Sequence, residues 1–311
     1  MSFINNAGRG RNGLVQYVFT IIMVIAGYII GQIPMTVAVL YKMYGNKEYG
    51  TEEFNEFSKN PDFAIFGIDR NVGFFLILFT FIGALAALYL GIKYLHRRNF
   101  LSLFSVNEKI DWNRIFWSTG LWFLMLLAFE MILIFLNPDD YSFKRPGSTF
   151  IILFFVVLLV LPLQTAFEEL FVRAYVFQAV SYHSGSVFAG FLVSILLFSA
   201  LHGANPEIAK YGVVQMMTYY LIAGIFLGLI VIIDDRIELA IGIHTATNMF
   251  GAIFVTYEGA AIQTDSLYLV NSVNPLLQAA EFFILSVLFL IIFRKKYNLD
   301  LNRIKFWKSY A

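Results

Sequence analysis

The feature that most restricts this chain is the recurrence of long apolar stretches, with only short polar gaps between them, from residue 14 to residue 293. A helix that crosses a membrane needs about 20 consecutive apolar residues. By that measure the chain divides into eight segments, at 14–40, 73–95, 115–136, 149–180, 187–202, 211–232, 238–257 and 275–293. Backbone polar groups find no water inside a bilayer, so each segment must satisfy its own as a helix. The expectation is all-α: a polytopic transmembrane helical bundle of about eight helices in a single integral membrane domain, 1–311. Composition agrees, since 59% of residues are hydrophobic and 14% are charged, where a soluble domain is about a quarter charged.

Charge matters here through its placement. Lys and Arg accumulate on the cytoplasmic side of a membrane protein. With the N-terminus placed there, that side receives 14 of them, including Arg9, Arg11, Lys109, Arg294 and Lys308, and the other side receives 7, including Lys42, Lys47 and Lys210. Both termini are therefore expected in the cytoplasm. Arg9 and Arg11 precede an apolar run that lacks a small-residue cleavage site, so the first helix reads as a retained anchor. The longest loop, 43–72, is polar and acid-rich, and is expected outside the cytoplasm as a small cap or a re-entrant piece. Trp112, Trp117 and Trp307 stand beside charged residues at segment ends, as interfacial anchors do. A net charge of +1 offers no basic face for nucleic acid. The absence of cysteine excludes disulfides, thiolate metal sites and a cysteine nucleophile. The expected surroundings are a lipid bilayer, and the bacterial cytoplasmic membrane if the chain is bacterial.

A charged side chain inside a bilayer costs several kcal/mol unless it is paired or wet, so each one needs a reason. The fourth segment holds Glu168, Glu169 and Arg173. Glu169 and Arg173 are an i, i+4 pair on one helix face. Glu168 points about 100° away and has no partner nearby in sequence, which is the setting of a general base or acid. Pro162, upstream, is placed to kink the helix. Two of the four histidines fall in apolar stretches: His202 closes the fifth segment, and His244 stands four residues before Asn248 in the seventh. The turn near His183–Gly185 makes the fourth and fifth segments an antiparallel hairpin. Glu168 and His202 are equidistant from residue 185, hence at equal depth, so Glu168, His202, His244 and Asn248 are expected to form one cluster. The expected depth of His244, near the start of its own helix, conflicts with that of His202, at the end of its own.

These residues resemble the CAAX protease and bacteriocin-processing (CPBP, or Abi) family of intramembrane endopeptidases. Its marks EExxxR, FxxxH and HxxxN are matched in order by Glu168-Glu169 with Arg173, by Phe198 with His202, and by His244 with Asn248, and the resemblance covers about 149–257. It implies hydrolysis of a peptide bond in a membrane-associated peptide or protein, with water activated by Glu168 and His202 and the oxyanion held by His244 and Asn248. Glu169 and Arg173 would orient the site. In that family the eukaryotic branch trims three residues after a prenylated cysteine, and bacterial relatives are linked to peptide maturation or bacteriocin self-immunity.

Two histidines and a glutamate, here Glu168, His202 and His244, also match a zinc site with an open position. The HExxH helix of soluble zincins is absent, and a metal-free glutamate-dependent site is the favoured reading, with no cofactor. The competing classes are a proton-coupled transporter, which the lack of a visible inverted repeat disfavours, and a non-catalytic scaffold. Outside the pattern, Phe198 is expected only to pack, Glu130 to contact Arg173 or line a cavity, Glu281 to reach water near a helix end, and His96 and His183 to be solvated.

Overall fold

The computed structural model describes residues 2–45 and 49–305, so Lys47, Trp307 and Lys308 lie outside it. The first span is α1 (Leu14–Gly31) followed almost without interruption by α2 (Ile33–Gly45). The break at Gln32 precedes Pro34, whose ring and missing N–H disfavour an unbroken helix. The polar connection then forms α3 (Thr51–Lys59) and a turn at Phe63–Phe66. Asp69 caps α4 (Arg70–Leu90) by accepting from the N–H groups of Asn71 and Val72, and Asp111 caps α5 (Trp112–Leu136) from Arg114.

The fourth predicted segment is one rod in four parts: α6 (Phe150–Leu159), α7 (Leu161–Glu169), a π-helical turn at Leu170–Val176, and α8 (Phe177–Ser184). Gly185, at φ 66°, takes the left-handed conformation that reverses the chain. The hairpin is completed by α9 (Val187–His202), whose first turn is capped by Ser186. The short α10 (Pro206–Tyr211) leads into α11 (Val213–Asp234), α12 (Glu238–Ile253) and α13 (Pro275–Tyr297).

Six of these helical runs are long and apolar enough to cross a membrane: Leu14–Gly45, Arg70–Leu95, Trp112–Leu136, Phe150–Ser184, Val213–Asp234 and Pro275–Tyr297. The other two of the eight expected segments, α9 and α12, are helical but only 16 residues each. Their shortness has a physical reason in α12. It is enclosed by α5, α6, α7 and α11, so protein and not lipid covers its polar face of His244, Thr245, Thr247 and Asn248. Trp122 Nε1 on α5 donates to Thr247 Oγ1 at 2.9 Å, and Thr165 and Thr245 join their hydroxyls at 2.7 Å across α7 and α12. On the rim of the bundle, Gly27 and Gly31 of α1 meet Gly83 of α4 so closely that a Cβ at Gly83 would overlap the Gly27 carbonyl. Small residues at that spacing let membrane helices pack backbone to backbone.

The all-α expectation needs one correction. Residues 255–257, expected as the end of a helix, form β2 of a small sheet, with β1 (Tyr141–Phe143), β2 (Val255–Tyr257) and β3 (Tyr268–Val270) in the order β1-β3-β2, antiparallel then parallel. The β-branched and aromatic residues of these strands suit pleated pairing once the helices have ended. The polar loop gathers at the same end: Arg70 pairs with Asp62 at 2.6 Å and Asn71 Nδ2 donates to Asp265 at 3.4 Å.

The opposite end carries both described termini. Phe3 N donates to Asp235 Oδ1 at 3.0 Å, and Arg303 pairs with the same carboxylate at 2.7 Å. Asn6 donates to the carbonyls of Ser102 and Ser105 at 2.8 and 3.1 Å, and Arg9 pairs with Glu108 at 2.6 Å. His96, expected in solvent, is 1% exposed. Its Nδ1 donates to the Arg11 carbonyl at 2.8 Å and its Nε2 accepts from the Tyr175 hydroxyl at 2.9 Å, which joins the N-terminal strap to the π-helical turn. The neutral imidazole makes both bonds. Burial lowers the His96 value from 6.5 to about 4, so its contribution to stability is complete above pH 6.5 and is lost as pH falls from there towards 4. The unfolding temperature of the detergent-solubilised protein is expected to drop across that window, and His96→Asn to flatten that part of the profile.

Candidate active site

The polar side chains converge from α7, the π-helical turn, α9 and α12. The turn begins directly after Glu169, and such turns insert an extra residue that re-aims the side chains on either side. Glu169 is fully buried, and its Oε1 accepts from Arg173 Nη1 at 2.6 Å and from His244 Nδ1 at 2.7 Å. The pair expected from the i, i+4 step is thus present, and it also anchors a histidine from another helix. The Arg173 guanidinium carbon lies 3.8 Å from the centroid of the Phe198 ring, where the π face supports a buried cation.

Phe198 therefore does more than the passive packing expected of it. Its ring stands 4.3 Å from that of His202 and 6.0 Å from that of His244, so one aromatic side chain separates and supports Arg173 and both histidines.

Glu168 has a different setting from its neighbour. Its side chain is 17% exposed where Glu169 is 0%. Contrary to expectation it has a partner nearby in sequence: Gln164 Nε2 donates to Glu168 Oε1 at 2.6 Å, and Gln164 Oε1 in turn accepts from Asn248 Nδ2 at 3.2 Å. Glu168 Oε2 lies 3.5 Å from His244 Nε2, so His244 addresses Glu169 with one ring nitrogen and Glu168 with the other.

His202 ends α9, where its Nδ1 donates to the Phe198 carbonyl at 2.7 Å and leaves Nε2 for other work. The ring is sandwiched between Phe198 and Tyr220, the latter at 4.4 Å, and it lies close enough to Glu168, Arg173 and His244 to sense their charges. The Tyr220 hydroxyl donates to Glu207, and Asn205 Nδ2 reaches both, at 2.9 Å to Tyr220 and 3.2 Å to Glu207. Burial pushes the Glu207 carboxyl above the usual range. Neither Gln164 nor the Tyr220 support stood out in the sequence. The one available signal was the i, i+4 step from Gln164 to Glu168.

The structure also removes the depth conflict between His202 and His244. The chain before α12 is drawn into the bundle: Ile237 N donates to the Phe104 carbonyl at 3.2 Å, Asp111 N donates to the fully buried Glu238 at 3.0 Å, and Gln178 of α8 reaches the Ser102 carbonyl at 3.4 Å. α12 thus starts near the level of Gln178, and six residues carry it to His244 beside Glu169.

Two further carboxylates depart from expectation. Glu130 accepts from the Tyr141 hydroxyl at 2.6 Å and not from Arg173. Glu281, expected to reach water, is 8% exposed. His183, by contrast, is exposed as expected. Glu168, His202 and His244, the expected zinc set, are not grouped as metal ligands among the described residues, while the Nδ1 bond of each histidine leaves its Nε2 available.

The fold and this cluster define an integral membrane protein with a buried cluster of carboxylates, histidines and an arginine. A family profile described as "Type II CAAX prenyl endopeptidase Rce1-like" matches residues 147–250, the stretch that holds every residue of the cluster. The chain is also 30% identical over 280 residues to "Uncharacterized protein YyaK" of Bacillus subtilis (strain 168), covering 89% of this chain and 90% of that one. The chain belongs to this Rce1-like family of CAAX-type intramembrane proteases. No solved structure matches it.

Removing one partner of a buried ion pair leaves an uncompensated charge, at a cost of about 3–5 kcal/mol. Arg173→Met is expected to destabilise the protein by that amount in mixed-micelle denaturation, because it leaves the buried Glu169 carboxylate with only His244 as partner and removes the cation from Phe198.

Proposed function

We propose that this chain hydrolyses a peptide bond of a membrane-associated peptide or protein within the bilayer, with Glu168 as the base. The observation that carries this reading is the unequal setting of two adjacent glutamates. Glu169 is sealed, its Oε1 held by both Arg173 and His244, whereas the Glu168 side chain stays partly exposed beside two histidines. One carboxylate holds the site and the other is left for chemistry.

Glu168 takes a proton from water, aided by His202, whose Nε2 is free to orient that water. The water oxygen bonds to the scissile carbonyl carbon, and the carbonyl electron pair moves onto its oxygen. His244, carrying a proton on Nε2 as well as the one its Nδ1 donates to Glu169, and the remaining Asn248 N–H donate to this oxyanion, in surroundings of low polarity that strengthen both bonds. The tetrahedral adduct then collapses, the C–N bond breaks, and the proton held by Glu168 passes to the leaving nitrogen. No step is routed through a metal.

In this reading all eight segments lie within the membrane, α12 as a short member enclosed by the bundle and α9 as a short member with an apolar face turned outward. The end that carries Arg9, Arg98, Arg114, Arg236 and Arg303 faces the cytoplasm, in keeping with the positive-inside rule, and the membrane is the bacterial cytoplasmic membrane.

The test uses purified, detergent-solubilised protein and a library of membrane-anchored peptides. Glu168→Ala is expected to lower the cleavage rate by about 10²–10⁴-fold, the scale of general-base catalysis, and a zinc chelator to leave the wild type unchanged. Cleavage by Glu168→Ala at the wild-type rate would remove Glu168 from the mechanism, and loss on chelation would reinstate zinc.

A further inference from the structure

The three motifs that mark the family do not include Gln164, yet this side chain touches two of the four residues given roles above. It is 7% exposed, on the face of α7 that meets α12. Its amide can be oriented in one way only. A carboxylate oxygen only accepts, so the nitrogen must face Glu168, which leaves the Gln164 oxygen for Asn248. The result is a directed chain of hydrogen bonds, Asn248 to Gln164 to Glu168, with the dipoles of both amides pointing at the carboxylate.

That chain has two geometric effects. The 2.6 Å bond holds Glu168 Oε1 and so fixes the rotation of the carboxylate, whose other oxygen stays beside His244 Nε2. The 3.2 Å bond takes up one Asn248 N–H and so fixes the direction of the other. Base and oxyanion donor sit on different helices, α7 and α12, and an error of about 1 Å between them would cost on the order of 100-fold in rate. Thr165 and Thr245 hold the two helices together one residue along from Gln164, but they do not orient either catalytic group.

We infer that Gln164 is a positioning residue, which ties the Glu168 carboxylate to the Asn248 amide across α7 and α12 and so sets the distance between base and oxyanion donor. This rests on the reading of Glu168 and Asn248 under Proposed function. An apolar isostere, Gln164→Met, removes the donor and the acceptor together and keeps the volume.

With a membrane-anchored peptide that the wild type cleaves, Gln164→Met should lower kcat by about 10–100-fold, the scale of one hydrogen bond to a charged group, with KM within about twofold. In an Asn248→Ala background the same change should cost several-fold less, because the chain it breaks is already cut. A second readout does not depend on turnover: the infrared carboxylate band of Glu168, assigned by its loss in Glu168→Gln, should shift in Gln164→Met. Gln164→Asn, too short to span both partners, serves the same measurements if the methionine variant does not fold. An unchanged kcat, an unmoved infrared band, or an equal cost in the Asn248→Ala background would each overturn the assignment. If Glu168→Ala is inactive while Gln164→Met cleaves normally, only this inference fails. If Glu168→Ala still cleaves, the underlying reading fails and this inference with it.

Discussion

The structure depends on one buried carboxylate. Glu169 lies where a bare charge could not be tolerated, and it is held by a guanidinium on its own helix and an imidazole from another. The same oxygen serves both, so the ion pair within the long fourth rod is also the bond between that rod and α12. Phe198 extends the arrangement to α9 by placing its π face under Arg173 and its ring against both histidines. Three helices are thereby locked around a charge that takes no direct part in the proposed chemistry, and that rigidity holds Glu168 in a defined place beside it.

Preorganisation of this kind suits a hydrolytic site in a membrane. Polar groups at that depth are strong because water is scarce, and costly for the same reason when left unpaired. The second layer follows the same logic, with Gln164 against Glu168, Tyr220 against His202, and the hydroxyls of Thr165 and Thr245 between the helices. Further out, the N-terminal strap reaches the π-helical turn through His96 and Tyr175, so the end of the molecule that carries both described termini is mechanically continuous with the site.

Much of this was legible in the sequence because it rests on local rules. Hydropathy marked every span, the i, i+4 step marked the Glu169–Arg173 pair, and equal spacing from the turn placed Glu168 level with His202. The rest depends on non-local facts. Nothing in the residue order announces that the backbone widens after Glu169, and a residue gained there changes which side chains face α12. Segment length misled for α12, which ends at Ile253 and not at 257, since a helix walled by protein need not match the bilayer. His96 and Glu281 stood near segment ends and were read as solvated, but loops and neighbouring helices fold over them. Phe198 was a motif marker expected only to pack until Arg173 was seen above its ring.

The central claim is that two neighbouring glutamates divide the labour, one holding the fold of the site and the other working in it. The measurement that addresses it most directly compares Glu168→Gln with Glu169→Gln in the same preparation, recording unfolding temperature and peptide cleavage for each. The account predicts that Glu168→Gln keeps the wild-type unfolding temperature and loses cleavage, while Glu169→Gln lowers the unfolding temperature by several degrees because Arg173 is left buried and unpaired. The reverse pattern, with the larger loss of stability at Glu168, would contradict it.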